Sequence, residues 1–510
     1  MNTVTHLPYT NIPQPLETIE ILPDIKSEYP PQVIESTTNY IEIFSSTEKA
    51  GSGTNGWLTE VARDFNNAAI MIDGKRISVR LRGIPSGTGV DYITSGKYLP
   101  DAYTPSNELW NEIIVSRGVK SQLVQKRLAG NVAGILLTKT KKDELTAKYG
   151  TINIKTIIDA VASNELLMGY TDPFTSSTGL NFLISALQTF NSSNLFSEKA
   201  KAGLESFQAN TPIVDITTIQ LKKRAISGEL DCLILEYQTY MNTPELRSYE
   251  FIPFGTRHDS PMYAIGELSA EKMKILNKFV DFTQLEKYQT LATRYSFNGL
   301  NKYQPEGVAV SGDVIIQAQK LWKDTKDIVN PICAVFVADV SGSMDGRPLN
   351  NLRRSLINGQ YYIGKDNLIG LISYSNDVNI DLPIAKFDLK QRSLFAGAVR
   401  DLQAGGSTST FDAIAVAMYM LRDQKAVGPD ADPHLKPKIF LLSDGKSNTG
   451  HSLDDIKLIV QELGMPVYTI GYNANLPELT DIASINEAVC INADTDNVTE
   501  NLKNLFTTVL

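Results

Sequence analysis

Residues 331–344 read PICAVFVADVSGSM. The apolar, β-branched run from Ile332 to Ala338 predicts a strand buried on both faces, and the break into Asp339, Ser341, Gly342 and Ser343 predicts a strand-to-helix turn. Strand and helix patterns alternate from there. LIGLISYS (368–375) reads as a strand, LFAGAVRDL (394–402) and FDAIAVAMYMLRD (411–423) as helices, and KIFLLSDG (438–445) as a strand. LDDIKLIVQEL (453–463) reads as a helix, PVYTIGY (466–472) as a strand and ENLKNLFTTVL (500–510) as a last helix. That order predicts a doubly wound α/β sheet, in which ligand groups gather at the carboxyl ends of the strands.

Three of those strand ends carry oxygen donors. Asp339, Ser341 and Ser343 alternate along one loop, so their side chains fall on one side of it. Gly405 and Gly406 allow a tight turn that presents Thr408 just before a helix, and Asp444 ends the strand KIFLLS. Two carboxylates with neutral hydroxyls are what a hard cation such as Mg²⁺ asks for, the remaining positions being water. DVSGSM resembles the DxSxS signature of the von Willebrand factor A family, and Thr408 and Asp444 match the family's later Thr and Asp. The resemblance spans roughly residues 326–510. It implies a metal-ion-dependent adhesion site on Asp339, Ser341, Ser343, Thr408 and Asp444, holding Mg²⁺ (or Mn²⁺ or Ca²⁺), with an acidic side chain of a protein partner completing the shell. Asp345 and Asp412 read as solvated or helix-stabilising carboxylates.

Upstream, from Tyr40, a second α/β series runs through IEIF, WLTEVARDFN, RISVRLRGI, ELWNEIIV, AGILLTKT, TIIDAVASN, LLMGYTDP and LNFLISALQTF. Its strand-to-helix loops are rich in small hydroxyl residues and Gly: Ser45 and Ser46; Ser86, Gly87 and Thr88; Ser176, Ser177 and Thr178. Main-chain N–H groups at helix starts, helped by hydroxyls, attract anions. Residues 38–322 resemble the type II periplasmic solute-binding fold, two lobes around a cleft, carried by IEIFSSTEKAGSGTNGWLTEVARDFN, RISVRLRGIPSGTGVDYI, PDAYTPSNELW, MGYTDPFTSSTGLNFL and DSPMYAIGELSAEKMKILNKFVDF. That resemblance implies a small anionic or polar solute at those hydroxyl loops. The expected organisation is a poorly ordered, Pro-rich arm (1–36), a two-lobed domain (37–310), a helical junction (311–329) and the metal-binding domain (330–510).

Composition narrows the classes. A formal charge of -9 works against a nucleic-acid partner, and no apolar run is long enough to span a bilayer. Cys232, Cys333 and Cys490 are too far apart for a zinc motif and odd in number. The four histidines form no triad or zinc spacing. GSGTNG (51–56) matches GxGxxG, but Thr47 to Ala50 separate it from its strand, against a dinucleotide site. Trp57, Trp110 and Trp322, at helical spacing among apolar neighbours, are expected in cores. The first residues lack a basic and an apolar region, so a cytoplasmic location is the default, an extracytoplasmic or membrane-associated one requiring a missing upstream segment. The expected function is that of a non-enzymatic bacterial binding protein: metal-dependent docking of a protein partner, with a solute-binding-like module. The alternatives are a metal-dependent hydrolase, and a stress-response scaffold whose solute cleft is vestigial.

Overall fold

The computed structural model describes residue 22, residues 24–492 apart from 211–212, 216–220, 223–224, 227–229, 330–331, 427–434, 446, 464, 473–475, 485–487 and 489, and Leu505. The helix expected at 500–510 therefore lies outside the described residues, Leu505 excepted. The chain divides into two compact units, Met1–Ile157 with Leu166–Leu195 and Leu221–Gln319, and Ile158–Glu165 with Phe196–Gln220 and Lys320–Leu510. The sequence reading drew one continuous domain over 37–310. The interleaving of short segments follows packing, which linker composition does not reveal.

The first unit has a short hairpin, Met71–Ile72 with Lys75–Arg76, and two large sheets. In one, strands β1 (Tyr40–Ser45), β2 (Ser78–Gly83), β3 (Ala102–Thr104) and β4 (Ser121–Gln125) are joined by a strand from much later in the chain. The other contains β5 (Val132–Thr138), β6 (Met168–Thr171), β7 (Cys232–Glu236) and β8 (Tyr249–Arg257) in the order β8-β5-β7-β6. Strand β9 (Met262–Ile265) then returns to the first sheet, which reads β2-β1-β3-β9-β4. β1 is parallel to β2 and β3, whereas β9 is antiparallel to β3 and β4. The chain thus crosses between sheets twice, at 126–131 and 258–261, and makes the expected two lobes.

Trp57 is fully buried in the first lobe among Ile41, Val61, Phe65 and Phe279, its Nε1 donating to Tyr288 O at 3.0 Å. Part of the arm expected to be disordered packs here. Leu22, Ile25, Tyr29 and Val33 are buried, and Val33 bridges to Leu81. The cause is Arg82, buried in β2: its guanidinium is paired with Glu42 at 2.7 Å and donates to the carbonyls of Ile25 and Tyr29. A buried guanidinium must have acceptors, and this strap supplies them.

After the helix Gly312–Val329, within which the division at Gln319 falls, the sheet of the second unit opens with β10 (Ile332–Asp339). The sheet continues with β11 (Leu368–Tyr374), β12 (Val378–Lys386), β13 (Lys436–Ser443), β14 (Val467–Gly471) and β15 (Cys490–Asn492), ordered β12-β11-β10-β13-β14-β15. All neighbours are parallel except the edge strand β12. The sequence reading had no strand at β12. Alternate residues of β10 feed two cores, Ala334, Phe336 and Ala338 on one face and Cys333, Val335 and Val337 on the other. Phe336 stacks on Phe440 at 5.1 Å and meets Phe395 edge-on at 5.4 Å. Helices Arg347–Gly359 and Leu389–Asp401 pack on one face, and Thr410–Ala426 and Leu453–Leu463 on the other.

Candidate metal centre

Parallel pairing sets Ala338 opposite Leu442, so Asp339 and Ser443 emerge at the same level of the sheet edge. Ser443 Oγ donates to Asp339 Oδ2 at 2.6 Å, and the Ser341 amide donates to Asp339 Oδ1 at 2.9 Å. Ser341 Oγ lies 3.1 Å from Ser343 Oγ. The second loop is stitched to the first, Gly405 N–H to Val340 O at 2.8 Å and Gly342 N–H to Gly406 O at 3.0 Å. Gly406 has φ +85°, in the left-handed region that favours glycine. Ser409 N–H and Oγ both donate to Ser375 O, at 3.0 and 2.7 Å, and the Thr408 amide donates to Asn448 Oδ1 at 2.8 Å. Asp339, Ser341, Thr408 and Asp444 are buried and Ser343 is exposed, which leaves the constellation one open side.

Two observations say what this donor set fits. Asp444 Oδ1 is buried with no hydrogen-bond partner. Burial pushes the Asp339 carboxyl above its usual range; hydrogen bonds from Ser443 and Ser341 oppose this, and the charge of Asp444 adds to it. Two carboxylates forced together at a buried edge, one with an orphaned oxygen, are relieved by a cation between them. Among the described residues no group of three or more His, Cys, Asp or Glu could hold a metal. Here the set is two carboxylates and three hydroxyls, hard and oxygen-only, suited to Mg²⁺ rather than to zinc. Asp412 and Asp345 are not part of it: Asp412 is hydrogen-bonded to His451, and Asp345 is exposed.

The hydroxyl loops of the first unit also come together, but on one another. Ser177 Oγ donates to Ser86 Oγ at 3.3 Å and accepts from Trp110 Nε1 at 2.8 Å, while the Gly87 amide donates to Thr175 O at 3.3 Å. Ser176 caps the helix Ser177–Phe190 and shares bonds with Thr171 (2.7 Å) and Thr178 (2.8 Å). Ser45 is buried, as is Thr88, and Ser46 Oγ donates to Glu48 Oε1 at 2.5 Å. Sequence reasoning missed the charged groups beside them. Lys49, fully buried, donates to Ser46 Oγ, to Thr104 O at 3.1 Å and to Glu48 at 3.3 Å. His258, at a lobe crossing, pairs with Glu236 at 2.7 Å and lies 3.1 Å from the Nδ2 of both Asn107 and Asn181. Burial lowers the Lys49 pKa, opposed by the charge of Glu48.

Residues 334–507 match the family model described as von Willebrand factor type A domain. This part of the chain is a von Willebrand factor A domain. Inter-alpha-trypsin inhibitor heavy chain H3 of Bos taurus is 29% identical over 161 residues, 29% of this chain and 17% of that protein. An uncharacterised Synechocystis protein is 25% identical over 151 residues, 29% of this chain and 34% of its own length. The chain thus spans well under half of these curated relatives. Among solved structures it is similar to a von Willebrand factor type A protein from Catenulispora acidiphila (17% identity, TM-score 0.30, 35% of this chain and 42% of that one). It is also similar to iron-bound HitA from Pseudomonas aeruginosa (14% identity, TM-score 0.40, 56% of this chain and 99% of that one). The von Willebrand factor A domain has three site neighbours that sequence reasoning did not single out: Ser443, Asn448 and Tyr374, whose hydroxyl accepts from Thr410 Oγ1 at 3.3 Å. Ser443 adjoins Asp444 in KIFLLSDG, so the strand-end pattern itself could have found it.

Proposed function

We propose that the von Willebrand factor A domain holds a divalent cation, Mg²⁺ by donor chemistry, and uses it to dock a protein that offers an Asp or Glu. The orphaned, buried Oδ1 of Asp444, a carboxylate close enough for its charge to act on Asp339, carries this reading. Asp339, Ser341, Ser343, Thr408 and Asp444 would hold the ion, whose bound role is to attract the partner's carboxylate. Asp339 is oriented by Ser443 Oγ and the Ser341 amide, and the loops around exposed Ser343 select the partner by shape. The reading is non-enzymatic: both carboxylates are committed as ligands, and the nearest imidazole described on these loops, His451, is paired with Asp412.

Isothermal titration of Mg²⁺ and Mn²⁺ into EDTA-stripped protein tests it. Wild type is expected to bind saturably and Asp339→Ala not at all; equal binding by both would sink the assignment.

For the first unit, a specific observation favours a scaffold over a small-solute receptor. The hydroxyls read as solute contacts are buried apart from the half-buried Ser176, and Ser86, Ser176 and Ser177 bond to other side chains of the unit. A solute would have to displace those bonds. A thermal-shift panel of small anions and polar solutes separates the two: stabilisation that Ser177→Ala removes supports solute binding, and no response supports the scaffold.

A further inference from the structure

The loop after Asp444 grips the main chain of Thr408 from both sides. Thr408 N–H donates to Asn448 Oδ1 at 2.8 Å, while Asn448 N–H and Thr449 N–H donate to Thr408 O at 3.0 and 3.2 Å. Ser447 Oγ adds a bond to the same carbonyl at 3.3 Å. Further along, His451 Nδ1 bonds Asp412 Oδ1 at the start of the helix Thr410–Ala426. Gly450, at φ +77°, lies so close to that helix that a Cβ there would fall 1.7 Å from Asp412 Oδ2. The opposite side of the Thr408 segment is tied as well, the Ser407 amide donating to Asn376 Oδ1 at 2.7 Å.

The Thr408 N–H itself is satisfied by a side-chain acceptor, Asn448 Oδ1, and not by the ladder of a helix or strand. A residue whose own N–H reaches the Thr408 carbonyl and whose side chain offers an acceptor to the Thr408 amide fixes both peptide planes flanking the Thr408 Cα. The direction of the Cα–Cβ bond, and with it the reach of Oγ1, follows from those planes. Without that pairing, the ordering of the loop would be charged to ion binding.

We infer that Asn448 is a positioning residue of the metal centre, pre-setting Thr408 so that cation affinity depends on a side chain that does not touch the ion. The inference rests on the metal-binding reading above. Outer-shell partners of this kind change affinity about 10–100-fold when removed.

The test is Mg²⁺ and Mn²⁺ titration of the full chain as wild type, Asn448→Ala, Asn448→Asp and Asp339→Ala, with amide hydrogen exchange at Thr408 in EDTA. Asn448→Ala is expected to weaken binding about 10–100-fold and to speed exchange at Thr408 while the EDTA melting temperature holds. Asn448→Asp keeps the acceptor and is expected to restore both readouts, with affinity compared in high salt to screen its added charge. If Asn448→Ala binds like wild type while Asp339→Ala does not bind, the positioning role is overturned and the metal site stands. If wild type itself does not bind, both fall. Should Asn448→Ala fail to fold, slow Thr408 exchange with weakened binding in Asn448→Asp would overturn the role.

Discussion

Replacing Gly87 with alanine is expected to wedge the two lobes of the first unit apart. A Cβ on Gly87 would fall 2.0 Å from Phe174 O and 2.8 Å from Thr175 Cα, main-chain atoms of the opposite lobe that cannot swing aside as a side chain would. The lobes must separate by about 1 Å to reach ordinary contact distance. Four hydrogen bonds cross at this point: Gly87 N–H to Thr175 O (3.3 Å), Ser177 Oγ to Ser86 Oγ (3.3 Å), Trp110 Nε1 to Ser177 Oγ (2.8 Å) and Asn107 Nδ2 to Ser177 O (3.3 Å). At a net 0.5–1.5 kcal/mol each, losing all four costs about 2–6 kcal/mol. Urea unfolding reads the loss, small-angle scattering reads the opening, and Ser86→Ala, which removes a single bond, sets the scale at about 1 kcal/mol. A Gly87→Ala protein with wild-type midpoint and scattering would refute the closed contact between these lobes.

Other outcomes follow from the second unit. Phe336→Ala, emptying a buried site between Phe395 and Phe440, should cost about 3–5 kcal/mol in denaturant unfolding. A loss under 1 kcal/mol would mean the site is not packed as described. If the Asp339 site holds Mg²⁺, the ion at 100 times its dissociation constant should stabilise the domain by about 2.7 kcal/mol, reversed by EDTA and absent in Asp339→Ala. The hydrogen bond and charge of Asp412 raise the pKa of His451, so its NMR titration should have a midpoint above 6.5 that Asp412→Asn lowers. Because the folded pKa is raised, the linked stabilisation is complete below pH 6.5 and fades as pH rises through the folded value; loss on acidification instead would contradict the pairing.

What could be read in the sequence tracks how local each signal is. Asp339, Ser341 and Ser343 lie on five consecutive residues, and their strand announces itself through an unbroken apolar run. Asp444 was legible because it ends a strand of the same periodic series, and Thr408 because the Gly405–Gly406 turn sets it just before a helix, although its loop follows the helix Leu389–Asp401 and is not the strand end the sequence suggested. The edge strand Val378–Lys386 was not: along it only Leu382 is buried, so the two-residue alternation that marks a half-buried strand is missing, and Pro383 argues against a ladder. The strap at 22–36 was hidden for a different reason. Its order depends on Arg82, 53 residues beyond Tyr29, needing carbonyl acceptors, and no local pattern encodes that need.

The same distinction separates the candidate metal donors from the groups that aim them. A cation selects residue types, and types are visible in a sequence. Orientation is set by partners far along the chain: Ser443 stands 104 residues from Asp339, and Asn448 stands 40 from Thr408. The hydroxyl loops of the first unit show the same dependence: Ser177 Oγ donates to Ser86 Oγ at 3.3 Å, a pairing across 91 residues that residue type alone does not reveal.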